Sequence, residues 1–173
     1  NYIEFLENDR VIVNPLRLKN WIKNELESSL VLYYTGRSRD SAKIIDEQIK
    51  NTKQKKEKSL EGMHELKHQA YIMKECILKG DFDGFAECLL KGWEAKKKTS
   101  DVISNSEIEE IYNFVMDNGG KAAKISGAGG GGFMMIVCDP QKRYELVEKL
   151  KNTDGKVMVT SFTEKGTQAW TLY

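Results

Sequence analysis

Short β-branched and aromatic runs lie at the two ends of this chain, and between them apolar residues return every three or four positions. RVIVNPL (Arg10 to Leu16) and SSLVLYYTG (Ser28 to Gly36) are closed by Pro or Gly, the pattern of strands. From about Arg37 to Leu78 the period becomes helical: Ile45 and Ile49 stand one turn apart, and a polar NTKQKKEKS bridge follows. Leu60, Met63, Leu66, Ala70, Met73 and Ile77 then repeat as one stripe. Gly80-Asp81 predicts a break and a cap for the next helix, whose stripe is Phe82, Phe85, Ala86, Leu89, Leu90 and Trp93. A further helix opens at Ser106, with Glu109 at capping-box spacing, carries Ile108, Ile111, Tyr112 and Val115, and stops at Gly119-Gly120. KAAKIS and FMMIVC predict two strands flanking a run of glycines. Asp139-Pro140 predicts a helix start, with Asp as N-cap and Tyr144, Val147 and Leu150 as the buried face. KVMVTSF and TQAWTLY predict closing strands. The sum is an α+β chain, an antiparallel sheet of about four strands with helices packed on one side.

Composition narrows the function classes. The 173 residues are 40% hydrophobic and 31% charged with a net charge of +1, an ordinary balance for one soluble globular domain. There is no concentrated basic surface of the kind nucleic acid requires, and no apolar run of the length a membrane span needs. Cys76, Cys88 and Cys138 are odd in number and set among apolar residues, which predicts buried thiols in a reducing, cytoplasmic compartment. The chain starts at Asn1, without Met or a signal-peptide layout, so it is expected to be a piece of something longer.

Two motifs carry candidate chemistry. Gly127-Ala128-Gly129-Gly130-Gly131-Gly132 matches the dinucleotide fingerprint G-x-G-x-x-G literally, but that fingerprint needs a helix after the glycines. Here Phe133 to Cys138 is a continuous apolar run, a buried strand, with Pro140 close behind. No Lys-Ser or Lys-Thr follows, so a Walker A loop fails as well. Hairpin loops do not need five glycines in six residues, and bare backbone suits close approach by a phosphate or by a neighbouring loop. The second motif, HELKH (His64 to His68), has the zinc-protease spacing, yet the chain has no further His to complete a ligand set. A solvated helix edge accounts for it. Trp93 and Tyr112 fall at core positions, and Arg37, Arg39 and Lys96 to Lys98 are scattered basic residues open to an anionic substrate.

KAAKISGAGGGGFMMIVCDP resembles the third conserved motif of the GHMP sugar-kinase family, a lysine-containing strand, a glycine core and an apolar strand. LVLYYTGRSRDSAKIIDEQ and GWEAKKKTSDVISNSEIEEIY resemble the bacterial D-glycero-D-manno-heptose 7-phosphate kinases and their fucokinase-like relatives. The resemblance implies a ferredoxin-like C-terminal domain over residues 1–173, working with an N-terminal kinase domain. The pair would use ATP and Mg2+ to phosphorylate the anomeric hydroxyl of a heptose 7-phosphate, on a route to surface polysaccharide. It implies that Ser126, Gly127, Ala128, Gly129, Gly130, Gly131 and Gly132, after Lys124, lie close to the nucleotide phosphates. The first two family motifs, with the main phosphate cradle and the acidic metal ligand, are absent, so no catalytic or metal-binding residue is expected in this chain, and alone it is expected to be inactive. Arg39 and Lys97 are the candidates for the sugar phosphate. Valine at Gly129 or Gly130 is expected to lower turnover far more than stability. The competing readings are another GHMP small-molecule kinase and a non-catalytic α+β module with a docking loop; a zinc hydrolase stands further back.

Overall fold

The computed structural model describes residues 1–36, 41–158 and 160–171. The chain runs β1 (Tyr2–Phe5), β2 (Val11–Asn14), α1 (Asn20–Ser29), β3 (Leu30–Tyr34), α2 (Ser41–Lys53), α3 (Glu57–Lys79), α4 (Phe82–Lys97), α5 (Ser106–Asp117), β4 (Gly120–Ile125), β5 (Phe133–Cys138), α6 (Arg143–Leu150) and β6 (Lys156–Met158). Four strands form one antiparallel sheet in the order β4-β5-β3-β6. Taken from β3, the order is the ferredoxin-like one: the first strand lies between the third and the fourth, and the second is at the edge. The expected α+β class holds.

Strand alternation assigns the sheet two faces. Val31, Tyr33, Ala123, Ile125, Met134 and Ile136 point to one, where Ile108 and Val115 of α5 and Leu146 and Leu150 of α6 complete the main core. Ala122 and Val137 point to the other and meet Ala86 and Leu89 of α4, with Met73 of α3 alongside. The two crossover helices thus share one face, and the added α3–α4 hairpin covers the second. That hairpin packs closely at Gly62, where a Cβ would stand 2.5 Å from the Ala95 carbonyl oxygen.

Four local readings change. The buried face of α3 runs through Ser59, Gly62, Gln69, Cys76 and Ile77; of the predicted stripe Ile77 is buried and Met73 packs on the core, whereas Met63 is exposed, because the tight crossing with α4 at Gly62 selects small side chains. Asn105, not Ser106, caps α5, accepting from the Ile108 N–H at 3.0 Å. Asp139 closes a turn instead of capping a helix: its carboxylate accepts from the Gln141 N–H at 2.9 Å, α6 begins at Arg143, and Tyr144 is exposed. TQAWTLY forms no strand over its described residues 167–171, and Trp170 is exposed. The Asp81 cap stands as expected, accepting from the Gly84 N–H at 2.9 Å behind a left-handed Gly80.

A buried polar cluster anchors the chain between α4 and α5. Thr99, fully buried just beyond α4, donates its hydroxyl to the Lys96 carbonyl at 2.7 Å and accepts from the Gln48 amide at 2.7 Å. Its carbonyl accepts from Asn51 at 3.0 Å and from the Ser59 hydroxyl at 3.4 Å. α2, α3 and α4 are tied together at the point where the chain leaves for α5.

Candidate functional site

The ladder between β4 and β5 ends at a Ser126 N–H to Phe133 carbonyl bond of 2.7 Å, and the loop Ser126–Gly132 opens beyond it. Gly127, Gly129, Gly130, Gly131 and Gly132 have φ values of +78°, +119°, +75°, +145° and +89°. Side chains disfavour that half of conformational space, which is why glycine fills it. The loop is fastened at two points. The Gly130 N–H donates to the Ile103 carbonyl at 2.8 Å, and a Cβ on Gly129 would stand 2.9 Å from the same oxygen. Thr35 grips Gly132: its hydroxyl accepts from the Gly132 N–H at 3.1 Å, and its own N–H donates to the Gly132 carbonyl at 2.9 Å. Gly129 and Gly130 are buried, whereas Ser126 and Gly127 are exposed. At Gly129 this geometry alters the expected effect of valine, which must disturb folding as well as turnover.

On the α5 side the loop borders a cavity of about 370 Å³, lined by Gly130 and Gly131, Tyr33, Thr35, residues of α5 and Thr153 to Gly155. The Tyr33 hydroxyl fixes its far wall, accepting from the Gly155 N–H at 2.8 Å and sharing a 2.7 Å bond with Thr153. Among the described residues, Glu107, Glu110 and Asp154 are the charged side chains that line it.

On the α4 side the charge is reversed. Three consecutive lysines end the helix, and each meets a different fate. Lys97 is held by Glu94 at 2.8 Å and Glu109 at 3.4 Å, with its ammonium 5.8 Å from the ring centres of both Trp93 and Tyr112. Burial pulls its pKa down, and the two carboxylates more than offset this, leaving it above the ordinary lysine value. Lys98 pairs with Glu61 at 2.8 Å. Lys96 turns to the loop and donates to the Gly127 carbonyl. Burial, and after it the charge of Lys124, lowers the Lys96 pKa to about 8; burial lowers that of Lys124 as well.

Of the residues singled out from sequence, Ser126 to Gly132 form this loop, Lys97 braces α4 against α5, and Arg39 lies outside the described residues. Lys124 stands on β4 at the foot of the loop. His64 and His68 are exposed on α3, and among the described residues no group of three or more His, Cys, Asp or Glu side chains is gathered to hold a metal ion. The three cysteines are free and buried, and burial pushes the thiols of Cys88 and Cys138 up to about 11. Sequence reasoning missed the Thr35 clasp and the Ile103 carbonyl; backbone acceptors leave no signature in a residue string.

The sheet is ferredoxin-like and its second and third strands are joined by a glycine-rich loop, and comparison names the class to which these belong. Residues 73–156 match the family described as GHMP kinases C terminal, and the chain belongs to the GHMP kinase family. It is 46% identical over 172 residues to a D-glycero-alpha-D-manno-heptose 7-phosphate kinase of Campylobacter jejuni, covering 99% of this chain and 50% of that protein. A crystal structure of a D-glycero-D-manno-heptose 1-phosphate kinase from Bacteroides thetaiotaomicron superposes with a TM-score of 0.70 at 36% identity, over 99% of this chain and 44% of that one. An L-fucokinase/L-fucose-1-P guanylyltransferase of Bacteroides fragilis is 30% identical over 149 residues, 83% of this chain and 16% of that protein. The chain spans about half the length of the heptose kinase it matches.

Proposed function

We propose that this chain is the C-terminal half of an ATP-dependent sugar kinase that phosphorylates the anomeric hydroxyl of a heptose 7-phosphate in the cytoplasm. The observation that carries the reading is the 46% identity to a heptose 7-phosphate kinase along virtually the whole chain, against 30% to a fucokinase. The loop geometry supports it. Ser126, Gly130 and Gly132 spend their N–H groups on fastening the loop, and Gly127 and Gly131 can present theirs to a phosphate without a Cβ in the way; phosphoryl transfer rests mainly on such positioning and on charge stabilisation.

In this reading the chain shapes one wall of the cleft and an N-terminal kinase domain supplies the other. ATP phosphates lie along the loop, and Arg39 or Lys97 meets the sugar phosphate. Lys97 would do so through the face that Glu94 and Glu109 leave uncovered. Magnesium, when bound, offsets charge on the nucleotide phosphates. Its protein ligand in this reading comes from the N-terminal domain, as the family resemblance implies.

The test is a kinase assay of the parent polypeptide against heptose 7-phosphate, fucose, mannose and galactose. Phosphorylation of the heptose phosphate above the rest is the expected outcome, and preference for fucose overturns the substrate. The isolated chain is expected to show no turnover.

A further inference from the structure

Lys96 and Lys124 differ from their neighbours in having no carboxylate. Glu94 and Glu109 neutralise Lys97, Glu61 neutralises Lys98, and Asp83 at 2.7 Å neutralises Lys121 on the same strand as Lys124. Neither Lys96 nor Lys124 has an ion pair among the described residues, although both are half-buried; α4 packs on β4, and Lys96, on the Gly127 carbonyl, feels the charge of Lys124, three residues before Gly127 in the chain. Among the described residues the one hydrogen-bond partner of Lys96 is the Gly127 carbonyl, which takes one of the three N–H donors of the ammonium group. Two adjacent ammonium groups, partly withdrawn from water and without a counter-ion, are costly to keep charged. A dianion lodged between them removes that cost for both at once. The exposed Ser126 hydroxyl and Gly127 backbone complete the surroundings with small polar groups.

We propose that Lys96 and Lys124, with the Ser126–Gly127 end of the loop, form a phosphate-binding site on the α4 side, taking the dianionic phosphoryl group of a phosphate ester or anhydride. It is distinct from the cavity on the α5 side, which Gly130 and Gly131 border from the other flank of the loop. That the occupant is a kinase ligand rests on the proposed kinase function; the binding itself does not.

The test labels the wild-type chain near pH 7.5 with pyridoxal 5′-phosphate, an aldehyde that carries its own phosphate. Borohydride then reduces the imine formed with loss of water, and peptide mass spectrometry locates the modified lysine. Phosphate-free pyridoxal is the control. Lys96 or Lys124 is expected to react about tenfold faster with the phosphate-bearing aldehyde than with pyridoxal, a ratio worth about 1.4 kcal/mol. Inorganic pyrophosphate should protect against it, and Lys124→Met should abolish the preference at Lys96. Protection by ADP assigns the phosphoryl group to a nucleotide, and protection by mannose 6-phosphate assigns it to a sugar phosphate. Equal rates with both aldehydes and no protection by pyrophosphate would mean that Lys96 is only an amine of low basicity, and the site falls. Loss of protection beside intact sugar phosphorylation by the parent sinks this site alone. Protection without sugar phosphorylation sinks the kinase reading alone.

Discussion

The two flanks of the glycine loop are built by opposite means. On the α5 side the chain is clamped: Gly130 is bonded to the Ile103 carbonyl, Gly132 is gripped by Thr35, and carboxylates stand along the neighbouring cavity. On the α4 side the backbone is open, with one lysine on the Gly127 carbonyl and a second lysine close by. The run of glycines therefore serves two needs. Gly129 is glycine because a neighbouring carbonyl lies where a side chain would go, whereas nothing lies within 4 Å of a Cβ on Gly127. Its backbone stands open to solvent.

The sharpest way to break this comparison is to fill each end. Gly129→Val meets both a left-handed φ and the Ile103 backbone, and should lower unfolding free energy by about 3 kcal/mol, measured by denaturant titration. Gly127→Ala, strained but unobstructed, should cost only about 1 kcal/mol. Equal losses would erase the distinction between the flanks. Next in size, Thr35→Val removes the hydroxyl that accepts from the Gly132 N–H and should cost about 1.5 kcal/mol, with no effect on labelling at Lys96.

Lys96→Met should act in the other direction. Its folded pKa of about 8 lies below the unfolded lysine value, so below pH 8 both states are charged and the folded state carries the full penalty. Between pH 8 and the unfolded value the unfolded chain binds more protons, and stability rises with pH. Screening by solvent at this half-buried position reduces the gain from Lys96→Met at pH 7 to about 1 kcal/mol, and the variant should flatten the rise above pH 8. Lower stability of the variant at neutral pH would contradict an uncompensated charge. The smallest effect belongs to His64→Ala and His68→Ala, exposed side chains whose removal should change stability by less than about 0.5 kcal/mol.

Much of the architecture was legible because burial on a sheet and on helix faces leaves a periodic trace. From Met134 to Cys138 the FMMIVC run lies mostly buried between β4 and β3, with Phe133 exposed at its start, and Ala86, Leu89 and Trp93 of the α4 stripe are core. α3 defeated the same logic: its contact with α4 is so close that Ser59 and Gly62 are buried while Met63 is exposed, and no hydrophobic count finds a face selected for smallness. α1 and β1 went unread from their residues, and TQAWTLY was read as a strand on composition although the sheet gives it no partner. For the site, glycine content located the loop. The lysine run hid its own division of labour, since Lys96, Lys97 and Lys98 are identical in sequence and separated only by which carboxylates the fold brings to each.

The buried Thr99 cluster has a dynamic consequence. The carbonyl that fastens Gly130 belongs to a segment anchored at Thr99, and Thr99 is held by Gln48 and Asn51 from α2. The Gly130 amide can exchange its hydrogen with solvent only when that carbonyl lets go, so its protection should fall when the bonds from α2, α3 and α4 that meet at Thr99 are loosened. The stillness of the loop is thereby expected to depend on helices that lie outside the sheet carrying it.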